Sequence, residues 1–494
     1  MMQDKKRPKK NEYRNYKLPR SSNNFIDMIQ LKDPKVTKEW FFETYIRPRK
    51  PVLIKTLNTD KVRIDIDNFR PGRILETLQG EQNEEESEQL HYLQVEELNQ
   101  GGFGTGQKRL KLKLDQFLDR INKGESLYLT TQYSENHADP LSETASPITD
   151  GPGDEAEGPD DEEEDEDEDE DEEGEDIGGA FPALNGNLSD DDEIVDLHDD
   201  FDDVFDDVSD DDDHPDDDIG EPVDPIYQPP LSNLLNGKLE KLPPHPFELT
   251  ESLVPQQINM WFGRTPEEST LLDIIESEQG SNIASINRGL PTPNSTSTGL
   301  HHDHADNIYV LAQGKKRFTL YSPDYAPDLY TVGDVRYIYD TGVIDYFRNE
   351  KAKNWSSIRA DGGCIESYSN TVQSTETEEK VDPPSFSRIP PALLHLDQVD
   401  EETRKKLEKY TKDNFPLFYP VRNSSVKVTL EEGDLLYLPA GWFHEVTSFG
   451  DEDKNNVHVA VNYWFVPPDG STSEQPYSDK VWEENFEMWK KKFL

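Results

Sequence analysis

From about Pro243 onward, short apolar runs are separated by Gly, Pro and Asp turns. This pattern predicts strands at Ile308–Ala312, Arg317–Tyr321, Ser425–Leu430, Leu435–Leu438, Phe443–Thr447 and Val457–Phe465. Many short strands of this kind form an antiparallel barrel or jelly roll. Nearer the N-terminus, "EWFFETYIRPRKPVLIKTL" reads as a helix over Lys38–Ile46 stopped by prolines, then a β-branched strand at Val52–Ile54. A second helical stretch, "LKLDQFLDRINKG", leads into a strand in "SLYLTTQY". At the other end, Trp482, Phe486, Trp489 and Phe493 fall at helical spacing and make a stripe suited to a core or to a dimer surface. The fold class expected is mainly β with flanking helices.

One segment breaks this pattern. Asp154 to Asp218 holds 37 of the 104 acidic residues and no Lys or Arg, so the net charge of −53 falls to −16 over the rest of the chain. Such a run has too little apolar surface to offset the entropy of ordering, and its like charges repel. Residues 134–243 are therefore expected to be a disordered acidic insert, either a solubilising spacer or a segment that binds a basic partner. Around it the expected layout is a basic arm (1–24), an N-terminal part of the folded domain (25–133), a core (244–470) and a C-terminal amphipathic helix (471–494). Cys364 is the only cysteine, which excludes a disulfide framework and a cysteine zinc site. No apolar run approaches membrane-spanning length, and no secretory signal opens the chain. A cytoplasmic or nuclear protein is expected, with no membrane partner and no direct nucleic-acid partner.

The chemistry concentrates in "TGLHHDHADNIYVLAQGKKRF", Thr298 to Phe318. Two histidines and one carboxylate on one side of a metal form the ligand set of non-haem Fe(II) oxygenases, and on a strand residues i and i+2 point the same way. Two His-x-Asp pairs are present, His301 with Asp303 and His304 with Asp306. On an unbroken strand His301, Asp303, Asn307 and Tyr309 share one polar face, which favours the first pair. Downstream, "EEGDLLYLPAGWFHEV" reads as a hairpin presenting His444 from the returning strand as the third ligand. Lys316 shares a face with Phe318 and Leu320, a place that suits a lysine holding an anion.

Together these segments, with "VNYWF", "RPRKPVLIKTL", "SLYLTTQY" and "INMWFG", resemble the JmjC (jumonji, cupin-like) Fe(II)/2-oxoglutarate oxygenases, and within them the small lysyl hydroxylases. The resemblance implies a double-stranded β-helix whose iron is held by His301, Asp303 and His444. It implies that Lys316 pairs with the distal carboxylate of 2-oxoglutarate, that Tyr128 and Thr298 hydrogen-bond nearby, and that Asn307, Tyr309 and Asn462 are further polar pocket positions. Trp261 of "INMWFG" would line the pocket.

The reaction implied uses O₂ and 2-oxoglutarate to hydroxylate a protein, with lysyl C-3 hydroxylation of a translation-associated GTPase as the specific expectation and a basic, lysine-bearing segment as substrate. Demethylation of histone methyl-lysine is the rival within the family. Peptidase action on histone tails ranks lower, because no paired nucleophile and base is readable. From another class, the barrel would be an inert scaffold and the acidic insert a histone or ribosomal-protein binding module; an intact His301, Asp303, His444 and Lys316 argue against inertness.

Overall fold

The computed structural model describes residues 13–20, 24–56, 61–78, 92–98, 101–103, 109–130, 132, 226–235, 237–271, 286–349, 355, 357–365 and 383–494. The acidic run and the first twelve residues of the basic arm lie outside them. Seventeen strands occur among the described residues: β1 Asp27–Gln30, β2 Val52–Lys55, β3 Leu93–Glu97, β4 Arg109–Leu112, β5 Leu127–Leu129, β6 Pro255–Arg264, β7 Ser295–Ser297, β8 Asp306–Gln313, β9 Lys315–Tyr321, β10 Val335–Ile338, β11 Ile344–Tyr346, β12 Ser357–Ile358, β13 Cys364–Ile365, β14 Val426–Leu430, β15 Leu435–Leu438, β16 Phe443–Phe449 and β17 Val457–Phe465. Strands β10 with β11 and β12 with β13 form two small ladders. The rest form a major sheet, ordered β1-β2-β15-β8-β17-β6-β5-β3-β4, and a minor sheet, ordered β14-β9-β16-β7. This is the mainly β, cupin-like architecture expected, with helices flanking the sheets.

The major sheet is covered on both faces, and the alternation of its strands sorts side chains between two cores. On β17, Val457, Val459, Val461, Tyr463 and Phe465 pack toward the helical layer, while Ala460 joins the core between the sheets. On β8, Ile308, Val310 and Ala312 face the helices, and Tyr309 and Leu311 face inward. The minor sheet contributes Phe318 and Leu320 of β9 and Val446 of β16 to the same inner core. The aromatic stripe of the Val481–Phe493 helix is core: Trp482, Phe486 and Trp489 are buried, and Trp489 stacks on Tyr227 at 6.0 Å. The stripe therefore packs within one chain.

Three boundaries differ from the sequence expectation. Residues 226–235 and 237–242, assigned by composition to the insert, are packed: Tyr227, Leu231, Leu234 and Leu242 are buried, Tyr227 Oη donates to Leu242 O at 2.6 Å, and Tyr227 bridges Ile258 of β6. Four large apolar side chains outweigh the polar neighbours that set the windowed composition. Within the basic arm, Tyr13 and Leu18 are buried, Tyr16 stacks on Trp442, and Tyr325 Oη donates to Leu18 O. Finally, β15 and β16 are not a hairpin. They lie in different sheets, joined by a corner at Pro439–Gly441. Gly441 has φ +74°, and a Cβ there would stand 1.8 Å from Gly342 O, so the corner can only close on glycine.

That corner is tied down by Asp306. Its carboxylate takes Tyr437 Oη at 2.7 Å and Ala440 N at 3.0 Å, and forms a buried ion pair with Arg49. Arg49 in turn accepts Trp442 Nε1 on its carbonyl at 3.0 Å. A buried arginine left without its carboxylate, or the reverse, is an uncompensated charge. Arg49→Met is expected to lower unfolding free energy by about 3–5 kcal/mol in denaturant titrations. Lys50→Met, which removes the half-exposed Lys50–Asp27 pair, should cost less than about 1 kcal/mol. Equal effects of the two substitutions would refute this account of the corner.

Candidate metal centre and inter-sheet pocket

His301 and His444 face each other across an isolated antiparallel bridge, with His301 N donating to His444 O at 3.0 Å and His444 N to His301 O at 2.7 Å. The main chain thus sets their imidazoles side by side, 4.3 Å between ring centroids. Asp303 enters from the same segment, its carbonyl accepting Gly441 N at 2.8 Å. One potential ligand atom from each of the three side chains lies within 4.8 Å of the others. Asp303 Oδ2 is 3.6 Å from His444 Nε2.

The unbroken strand expected here does not exist. The chain is irregular over 302–305, and β8 begins at Asp306. The structure nonetheless brings His301 and Asp303 together with His444, while Asp306 faces the helical layer and its carboxylate is consumed by Arg49, Tyr437 and Ala440. His304 is buried away from the three, and His302 Nε2 lies 2.6 Å from Tyr346 Oη.

The donor set suits a metal in its protonation as well as its geometry. His301 Nδ1 lies 3.0 Å from Gly299 O, and His444 Nδ1 lies 2.9 Å from Trp442 O. A carbonyl can only accept, so each Nδ1 carries the proton and each Nε2 lone pair is left for a metal. Burial pushes both imidazoles down to about 4, keeping them neutral. Burial also raises the Asp303 carboxyl, against the opposing effects of His301 and of a hydrogen bond from Asn307. Two neutral imidazoles and one carboxylate fit Fe(II) in the two-histidine, one-carboxylate arrangement. Phe386 stacks on His301 at 4.9 Å and restrains the ring.

Deeper between the sheets is a cluster of buried polar side chains. Lys316 on β9 is fully buried, and its Nζ donates to Tyr128 Oη of β5 at 3.2 Å, 5.7 Å from the Tyr309 ring centroid. Trp261 Nε1 of β6 donates to Asn462 Oδ1 of β17 at 2.9 Å. Asn462 Nδ2, Asn307 Oδ1, Asn259 Oδ1 and Tyr309 Oη are buried without a hydrogen-bond partner. Unpartnered buried polar atoms are costly, and several on one inward face indicate a polar occupant. Burial lowers Lys316 to about 7. Thr298 lies at the corner between β7 and His301, where its hydroxyl donates to Gly299 O at 3.3 Å and accepts from Val446 N at 3.4 Å.

The sequence reading missed Arg49, Asp306 as the hub of the corner, Asn259, and His458 on β17. For His458 a signal existed: in "VHVAVNYWF" it shares the period-2 face of Asn462. For Arg49 and Asp306 there was none, since 256 residues separate them from each other in sequence order and no local pattern links them.

Comparison with known proteins places these features in context. The cupin-like domain family model matches residues 38–471. JmjC domain-containing protein 4 of Schizosaccharomyces pombe is 25% identical, over 78% of this chain and 75% of its own length. Lysine-specific demethylase JMJ32 of Arabidopsis thaliana is 26% identical over 38% of this chain, and the bifunctional peptidase and (3S)-lysyl hydroxylase JMJD7 of Homo sapiens 24% over 34%. These last two alignments span 43% and 37% of the relatives' own lengths. Among the described residues no helix is long and apolar enough to cross a membrane. With a matching domain over most of its length and a His-Asp-His set between two sheets, the chain belongs to the cupin-like domain family and is distantly related to its JmjC proteins.

Proposed function

We propose that this protein is an Fe(II)/2-oxoglutarate-dependent oxygenase that hydroxylates a protein side chain. The observation that carries the reading is the pairing of the His301, Asp303 and His444 set with a buried lysine in the same inter-sheet space. His301, Asp303 and His444 would hold the metal. Lys316 and Tyr128 would hold the distal carboxylate of 2-oxoglutarate, with Asn307, Tyr309, Asn462 and Thr298 as further polar contacts. When bound, Fe(II) with 2-oxoglutarate and O₂ supplies the oxidising power, one oxygen atom passing to the substrate and the other to succinate, with loss of CO₂. The chain's own part is to orient the imidazoles through Gly299 O and Trp442 O and to keep water from the buried lysine.

The substrate proposed is a lysine-bearing basic segment, with lysyl C-3 hydroxylation of a translation-associated GTPase as the specific reaction. Two considerations support it: the domain outside the insert is net acidic, which favours basic partners, and several relatives are named for lysine chemistry. The relatives named as demethylases support methyl-lysine demethylation as the second reading. The acidic insert is proposed to recruit the basic substrate.

Protein loaded anaerobically with Fe(II) and then exposed to O₂ is expected to form succinate from 2-oxoglutarate. His301→Ala and Asp303→Ala are each expected to abolish it. With a lysine-rich peptide offered unmodified and methylated on its lysines, a mass gain of about 16 identifies hydroxylation and a loss of about 14 from the methylated form identifies demethylation. Succinate formation that persists in both variants would exclude this metal site.

A second expectation concerns pH. Burial lowers Lys316 to about 7, and the groups around it are Tyr128, Tyr309 and His458, with Glu96 acting on Tyr128. A carboxylate favours the ammonium form, so binding above this pKa takes up a proton. Affinity for 2-oxoglutarate should therefore weaken between about pH 7 and 8.5, by up to about tenfold per unit. Calorimetry in two buffers of different ionisation enthalpy reads the proton directly, and Lys316→Arg should flatten the profile. Proton release, or an unchanged profile in Lys316→Arg, would contradict the role given to Lys316.

A further inference from the structure

His458 on β17 is fully buried, and neither ring nitrogen has a hydrogen-bond partner. Its surroundings are built around it. Gly263 of β6 is the register partner of both His458 and Tyr128, so it lies between them in the sheet. A Cβ at Gly263 would stand 2.3 Å from the Tyr128 ring and 2.9 Å from the His458 ring. The missing side chain lets the two rings meet edge to face, 5.6 Å between centroids. On the other side, Gly314, with φ +88°, takes the chain past His458 Cβ at a distance a side chain would fill. Burial holds the His458 imidazole well below its ordinary value, and the charge of Lys316 adds to this, so the ring is neutral.

An apolar ring would pack equally well over Gly263. A neutral imidazole adds one N–H donor and one acceptor, and both are unpartnered in a space that already holds the Lys316 ammonium and the Tyr128 hydroxyl. A carboxylate has two oxygens and about four acceptor sites, more than Lys316 and Tyr128 alone can fill. We propose that His458 is a third donor, beside Lys316 and Tyr128, to the distal carboxylate of the dicarboxylate bound in this pocket, and so selects for a ligand with an anion at that end. This rests on the cosubstrate reading above.

The test measures dissociation constants with Mn(II) in place of iron, comparing 2-oxoglutarate with 2-oxopentanoate, which lacks the distal carboxylate. His458→Phe keeps the ring packing and removes the donor. It should weaken 2-oxoglutarate binding about tenfold while leaving 2-oxopentanoate and Mn(II) binding unchanged. His458→Gln, which restores an N–H donor, should recover most of that loss. If His458→Phe binds 2-oxoglutarate as tightly as wild type while Lys316→Met does not bind it, the role of His458 is overturned and the cosubstrate reading stands. Should Lys316→Met also bind normally, the cosubstrate reading itself fails. Where His458→Phe does not fold, the wild-type protein answers: the ¹⁵N signals of the His458 ring should shift on adding 2-oxoglutarate and not on adding 2-oxopentanoate, and unmoved signals count against the proposal.

Discussion

Everything near the metal ligands hangs on the carboxylate of Asp306. It is fully buried at the start of the central strand β8, with Arg49 as its counter-ion and the Tyr437 hydroxyl and Ala440 amide as further donors. Three parts of the chain meet there: the turn after the first helix, the strand that follows the His301–Asp303 segment, and the corner that leads into His444. A buried charge demands that all its partners be present at once, which makes the cluster cooperative. Because Gly441 at that corner also donates to Asp303 O, the position of one metal-ligand segment and the path to the next are set by the same few bonds.

The two sheets divide the remaining work. The major sheet brings amide and aromatic side chains, Asn307 and Tyr309 from β8, Asn462 and His458 from β17, Asn259 and Trp261 from β6 and Tyr128 from β5. The minor sheet brings Lys316 and His444, with Phe318 as apolar filler between them. Low polarisability in this space acts in two ways. It keeps the imidazoles neutral and available as ligands, and it makes Lys316 costly to charge until an anion arrives. The same burial that suits the donor set to a metal thus biases the pocket toward a negatively charged occupant.

The outer face of the minor sheet has a polar order of its own. Glu445, next to His444 but on the opposite face, accepts from Ser297 Oγ at 2.7 Å, from Thr447 Oγ1 at 2.8 Å and from His395 at 2.9 Å; against burial, which raises it, His395, Ser297 and the charge of Arg317 hold the carboxyl down to about 2. Ser297 Oγ also receives Gly299 N at 3.1 Å, and Gly299 O is the acceptor for His301. A buried carboxylate behind the sheet therefore supports the turn that orients a ligand in front of it.

The sequence by itself determined what alternation encodes: the strands at 306–321 and 426–465, the helical stripe at the C-terminus, and which residues of β8, β9 and β17 share a face. Period-2 spacing is local, and a strand buried on both sides has no freedom to slip by one residue without exchanging its faces. It also placed His301, Asp303, His444 and Lys316 as candidates, because residue type and spacing carry that chemistry. Only the tertiary structure decided that residues 302–305 leave the strand, that β15 and β16 belong to different sheets, that residues 226–235 and 237–242 join the core, and that Arg49 neutralises Asp306. Each of these depends on a contact between segments far apart in the chain, such as Gly342 against Gly441 or Tyr227 against Trp489. Local pattern carries no term for such contacts, whereas burial and charge compensation in the folded state do.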